Sequence, residues 1–186
     1  MFYGRNDLVA ELTNLVVNGQ HVALIGPGGM GKSSLAKVIF NEPLVVATFA
    51  ERRFFITYDD LDPSTITVEA FMGRFARDLG LELVNPDPMR QICTFLRTAT
   101  TALIVLDNAE TFEEAVDRQR SRQIPPVITN IADIPGIVLI LTSRSRRNAP
   151  NVPWITDRAT STFNRNFSTF YIYEAHHLGK VLSATA

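Results

Sequence analysis

One stretch decides most of what this 186-residue chain can fold into. His21-Val22-Ala23-Leu24-Ile25 is a short apolar strand that runs directly into Gly26-Pro27-Gly28-Gly29-Met30-Gly31-Lys32-Ser33. Lys32–Phe40 then continues with Leu35, Ala36, Ile39 and Phe40 at helical spacing. The middle segment satisfies G-x-x-x-x-G-K-[ST] without a gap, between the strand and the helix that give the pattern its meaning. A loop that wraps a phosphate chain must turn its backbone N–H groups inward, with dihedrals and close approach that side chains would block. Glycines supply that freedom, and the helix that follows aims the positive end of its dipole at the same anion. Lys32 is then placed to reach the β and γ oxygens as a point charge, and the Ser33 hydroxyl to ligate Mg²⁺. Gly26, Pro27, Gly28, Gly29, Met30, Gly31, Lys32, Ser33 and Ser34 are therefore the candidate phosphate-binding residues. The alternative is a glycine-rich turn that happens to precede a lysine.

The rest of the chain repeats the alternation of apolar strand and amphipathic helix. Asn6–Val17 places Leu8, Leu12, Leu15 and Val16 on one side and is ended by Asn18-Gly19. Arg53–Tyr58 reads as a strand, Thr67–Leu79 and Asp87–Thr98 as helices, and Ala102–Leu106 and Ile137–Leu141 as strands with no polar alternation. Val152–Thr156 reads as the start of a fifth strand. Pro43 falls just past the end of the helix after the glycine loop, and a charged stretch, Phe112–Arg122, leads to Pro125-Pro126. Unbroken apolar strands separated by helices predict a parallel sheet covered on both faces, that is, a three-layer α/β/α sandwich. Residues 157–186, rich in Ser, Thr, Asn and aromatics, show no period. The expected division is a nucleotide-binding domain over 1–156 and a divergent tail over 157–186.

In such a sheet the carboxyl ends of the strands open onto the ligand crevice. Asp107 ends the strand Leu103-Ile104-Val105-Leu106 and is expected beside the phosphates, where its carboxylate would hold Mg²⁺ through water; the alternative is a cap for the next helix. Hydrolysis also needs a group that orients or deprotonates water. Asn108 is an amide with no basicity at neutral pH, so the nearest candidate is Glu110, against the alternative of a solvated first-turn acid. Thr142-Ser143-Arg144 ends the fourth strand at the same edge. Arg144 suits γ-phosphate geometry; the alternative is a solvated basic turn made with Arg146 and Arg147.

Composition excludes several classes. Hydrophobic residues make up 46% and charged residues 20%, which rules out bulk disorder. The formal charge of −1 supplies no general attraction to nucleic acid, and the arginines near 144 carry no interleaved aromatics, so nucleic acid is not an expected partner. A single cysteine, Cys93, forms no internal disulfide and fits a core position, and no Cys/His grouping has metal-ligand spacing. His176-His177 are adjacent and read as a solvated pair. The longest aliphatic run, Ile137–Leu141, is far short of a membrane span, and MFYGRNDLVAELTNLV carries charges where a secretory signal is apolar. A cytoplasmic location with no membrane partner is the expectation.

Taken in order, Phe2-Tyr3-Gly4-Arg5, HVALIGPGGMGKSSLA, LIVLDNAE and LILTSR resemble the nucleotide-binding domain of STAND P-loop ATPases, the NB-ARC and NACHT branch related to AAA+ modules. The resemblance covers Phe2–Thr156 and implies a P-loop NTPase sheet. It implies that Phe2, Tyr3, Gly4 and Arg5 line an adenine pocket and that Arg144 is the arginine that senses the γ-phosphate. It further implies ATP/ADP and Mg²⁺ as ligands, protein partners or self-assembly, and a switch closed by ADP and opened by exchange for ATP. The family's helical subdomain with its Gly-Leu-Pro motif and its winged helix have no counterpart here, so the resemblance is to a truncated core. Two functions follow: a slow Mg²⁺-dependent ATPase acting as a signalling switch, or an interaction module that holds ADP without turnover. A small-molecule kinase ranks below both, and the lack of an N-K-x-D segment disfavours guanine.

Overall fold

The computed structural model describes residues 6–62, 66–84, 87–98, 100–113, 123–144, 154–155 and 170–174. In chain order the elements are α1 (Asn6–Val17), β1 (His21–Ile25), α2 (Lys32–Phe40), α3 (Pro43–Phe49), β2 (Arg53–Thr57), α4 (Val68–Asp78), α5 (Pro88–Arg97), β3 (Ala102–Asp107), α6 (Glu110–Glu113), α7 (Ile124–Ala132), β4 (Ile137–Ser143), β5 (Trp154–Ile155) and β6 (Phe170–Glu174). The strands form one sheet in the order β2-β3-β4-β1-β6-β5, and every pairing is parallel.

The two-residue period of a strand explains the layers. On one face Ala23 and Ile25 of β1, Ala102, Ile104 and Leu106 of β3, and Ile137, Leu139 and Leu141 of β4 join the apolar residues of α4, α5 and α7. On the other face Val22, Leu24, Leu103, Val105, Val138 and Ile140 meet α1, α2 and α3. Burying both faces is what forces β1, β3 and β4 to be apolar without alternation. The three-layer α/β/α architecture expected from the sequence is the one observed.

Three elements lie where the sequence marked none. Pro43 begins α3 rather than merely ending what precedes it, and Pro125 and Pro126 sit in the first turn of α7. A proline there loses no hydrogen bond, because the first N–H groups of a helix have no partner within it. The third is β6, which lies within 157–186 and pairs with β1 from His21↔Phe170 to Ile25↔Glu174. The strand expected at Val152–Thr156 is present at Trp154–Ile155, on the edge of the sheet beyond β6.

α4 illustrates how local chemistry sets a boundary. Thr67 stands outside the helix in an extended conformation, and its hydroxyl accepts from Ala70 N at 3.2 Å. Thr67→Ala is expected to lower the unfolding free energy by about 1 kcal/mol, the usual size of a lost N-cap, measured by urea denaturation. An unchanged midpoint would mean that α4 is held by Phe71 and Phe75 packing alone.

Candidate functional site

The glycine loop connects β1 to α2 and is tied to the sheet at its start, where Gly26 N donates to Ser143 O at 3.1 Å. Gly29 and Gly31 have φ of +78° and +80°, left-handed conformations that a side chain at either position would strain. Gly31 is also the N-cap of α2, so the chain reverses and its helix begins within one residue. Lys32 folds back over this bend: its Nζ donates to Gly26 O at 2.7 Å and to Pro27 O at 3.0 Å. Ser33 is half-buried and Ser34 exposed in the first turn of α2.

The opposite wall is built by β3 and β4. Asp107 is the last residue of β3 and is buried; its Oδ1 accepts from Thr142 Oγ1 at 2.6 Å. Asn108 follows with φ +61° and donates its N–H to the same hydroxyl oxygen at 3.0 Å, while Ala109 N donates to Thr142 O at 2.9 Å. That bend starts α6, which Phe112 anchors by edge-on contacts to Tyr58 and Phe71, with ring centroids 5.1 and 5.4 Å apart.

Glu110, first in α6, is 7% exposed. Its Oε1 accepts from Arg144 Nε at 2.8 Å, and its Oε2 is buried without a hydrogen-bond partner. The side chain of Arg144 is 58% exposed, and its Nε lies 3.9 Å from where a Cβ on Gly28 would be. The guanidinium therefore pairs with Glu110 and lies beside the glycine loop.

Electrostatics ties the four groups together. Burial lowers the pKa of the Lys32 ammonium below its ordinary value; Glu110 opposes the shift, Arg144 adds to it, and Asp107 opposes it. Two cations and a bend of backbone N–H groups thus face two buried carboxylates across one edge of the sheet. Such a site can take a polyphosphate together with a divalent cation. Among the described residues no cluster of three or more His, Cys, Asp or Glu could hold a metal by itself. A cation here would draw on Asp107, Ser33, water and the phosphates, the oxygen set that Mg²⁺ prefers. The buried, unpartnered Oε2 of Glu110 gives a water molecule an acceptor.

The structure thus brings together Lys32, Asp107, Glu110, Arg144 and the Gly26–Ser33 loop. Phe2, Tyr3, Gly4 and Arg5, and also Arg146 and Arg147, lie outside the described residues. Thr142 has a part the sequence did not assign. Its sequence position puts it beside Arg144 at the edge expected to face phosphate, whereas its hydroxyl is engaged by Asp107 and Asn108. A polar residue closing an otherwise apolar strand was the signal for it.

The profile of the family described as AAA domain matches residues 17–147. The putative disease resistance protein RGA4 of Solanum bulbocastanum is 30% identical over 82 residues, which is 40% of this chain and 8% of that protein. Among solved structures, Cdc6p from Pyrobaculum aerophilum superposes with a TM-score of 0.57 at 15% identity, over 81% of this chain and 42% of its own. The Aeropyrum pernix Orc1 protein, solved in complex with DNA, gives 0.54 at 15% identity, over 96% of this chain and 48% of its own. The chain thus spans under a tenth of the plant relative and less than half of each solved chain; the two superpositions speak for the fold. No helix among the described residues is long and apolar enough to cross a membrane.

Proposed function

The chain belongs to the AAA domain family, and on that premise we propose that it binds ATP and ADP with Mg²⁺ at the Gly26–Ser34 loop and acts as a nucleotide-dependent switch with slow ATP hydrolysis. The observation that carries the reading is the convergence of Lys32, Asp107 and the Glu110–Arg144 pair on a loop whose Gly29 and Gly31 are left-handed.

In this reading the loop N–H groups and the N-terminus of α2 hold the β-phosphate. The Lys32 ammonium leaves the Gly26 and Pro27 carbonyls for the β and γ oxygens. Ser33 and Asp107 would hold Mg²⁺, which when bound neutralises charge developing on the phosphates. Glu110 Oε2 accepts a proton from water and orients it, with Oε1 fixed by Arg144. The remaining N–H groups of Arg144 point its charge toward the γ-phosphate. Phe2, Tyr3, Gly4 and Arg5 are proposed as the adenine side, on the family resemblance. Protein partners and self-assembly are proposed on the same ground, and a cytoplasmic location on the charged N-terminal stretch and the single cysteine. The expectation that nucleic acid is no partner is withdrawn: Orc1 of like fold is solved with DNA, so overall charge is too weak an argument to exclude it.

Titration calorimetry with ADP, ATP and GTP, each with and without Mg²⁺, tests the reading. Adenine nucleotides are expected to bind, ATP more tightly with Mg²⁺, and GTP at least about tenfold more weakly. A folded protein that binds none of them overturns it. Glu110→Gln is expected to cut phosphate release at least about tenfold with ATP affinity unchanged within about twofold, as for a group acting in the transition state. Equal release by the two proteins removes Glu110 from the mechanism.

A second reading, an ADP-holding module without turnover, is favoured by two features. The Arg144 guanidinium already occupies one Glu110 oxygen, and Asn108 supplies no base beside Asp107. Phosphate release at the level of Lys32→Ala, together with ADP binding, would select it.

A further inference from the structure

Thr142 is fully buried at the end of β4, and its hydroxyl makes two hydrogen bonds whose directions are both forced. The Asn108 N–H can only donate, so it must be received by a lone pair of Oγ1, 3.0 Å away. The hydroxyl proton then goes to Asp107 Oδ1 at 2.6 Å, a separation typical of a hydroxyl donating to a carboxylate. The main-chain oxygen of the same threonine accepts from Ala109 N. One residue of β4 therefore holds three consecutive residues, Asp107 at the end of β3 and Asn108 and Ala109 beyond it. Asn108 keeps φ +61°, a conformation non-glycine residues avoid unless local hydrogen bonds hold it. That turn carries Glu110 back to Arg144, two residues beyond Thr142 on the chain.

We infer that Thr142 is a positioning residue for the cation: its hydroxyl locks the Asp107 carboxylate by Oδ1, so that Oδ2 is the oxygen presented to Mg²⁺, and it sets the bend that delivers Glu110. This rests on the nucleotide-binding reading above. Thr142 touches neither nucleotide nor metal itself. Its contribution is to remove the rotational freedom that a strand-end aspartate otherwise has, so that no reordering accompanies cation binding.

The test compares ATP affinity in Mg²⁺ with ATP affinity in EDTA for the wild type, Thr142→Val and Thr142→Ser, by calorimetry. Thr142→Val keeps the shape and removes the hydroxyl; it is expected to reduce the Mg²⁺-dependent gain in affinity about tenfold, with affinity in EDTA unchanged within about twofold. Thr142→Ser restores the gain. In an Asp107→Asn background, Thr142→Val is expected to change the gain no further, since the group it positions is gone. Should Thr142→Val not fold, Thr142→Cys, of similar size but a weaker donor, is expected to show an intermediate loss. A full gain in Thr142→Val or Thr142→Cys overturns the inference, as does an equal loss in EDTA, or a wild type whose affinity ignores Mg²⁺. A wild type that binds no nucleotide overturns the underlying reading first, and this inference with it.

Discussion

Lys32→Ala is expected to weaken ATP binding at least about a hundredfold, a loss of about 2.7 kcal/mol, while leaving the protein folded. The ammonium lies at the first position of α2, where the helix dipole disfavours a cation by up to about 1 kcal/mol. Two carbonyls of the glycine loop compensate by accepting from Nζ, Gly26 O and Pro27 O. Truncation removes both the unfavourable charge and these contacts, so the two effects offset each other in the unliganded protein. With a polyphosphate in the loop they no longer offset. The ammonium is half-buried and already loses hydration to its surroundings, so a phosphate oxygen replaces weak carbonyl acceptors with a full charge in a medium of lowered dielectric. Calorimetry with ATP and Mg²⁺, alongside a thermal midpoint without ligand, separates the two quantities. Affinity within about threefold of wild type would show that backbone N–H groups carry the binding alone. A collapsed midpoint would show that Lys32 is a structural pin of the loop.

The parts of this architecture legible in the sequence are those where one physical signal dominates. β1, β3 and β4 are buried on both faces, so their apolar runs had no competing reading. α1 and α2 came out with their observed ends because a 3.6-residue stripe was bounded by Asn18-Gly19 on one side and by the glycine loop on the other. Where two signals conflict, the sequence misleads. Pro43 and Pro125-Pro126 break helices in general, but in the first turn they start them, and nothing local distinguishes the two cases. β6 is Phe-Tyr-Ile-Tyr-Glu, with good β-propensity but no alternation. Its place beside β1 is a non-local pairing that composition does not encode.

The site follows the same rule. The glycine loop and Asp107 were legible because their spacing is set by the ligand they would share. The ion pair of Arg144 with Glu110 was not, because residues 34 positions apart meet only once β3 and β4 pair in register. Thr142 was visible as a polar interruption, but whether it faces ligand or carboxylate depends on the left-handed turn at Asn108.

Between pH 7.5 and 4.5 the wild-type protein is expected to lose about 2.5 kcal/mol of stability through His21 alone. His21 opens β1 at the end away from the glycine loop and is 1% exposed. Its Nδ1 accepts from Leu139 N at 2.9 Å, and burial lowers its pKa from 6.5 to about 4. Above pH 6.5 the imidazole is neutral in both the folded and unfolded chain, and the contribution is fully present. As pH falls from 6.5 toward 4, the unfolded chain takes up a proton that the folded one refuses, so stability declines; below 4 both are protonated and the loss levels off at about 3 kcal/mol. His21→Leu has no such proton to take. At pH 7.5 it is expected to be less stable than wild type by about 1–3 kcal/mol, because the Leu139 N–H is left buried without its acceptor. Chemical denaturation at both pH values should therefore show the gap closing or reversing in acid, with the remaining acid sensitivity of the two proteins common to their carboxylates. Parallel stability curves would mean that His21 takes its proton in the folded state, and that the Leu139 N–H has a substitute acceptor when the imidazole turns from it.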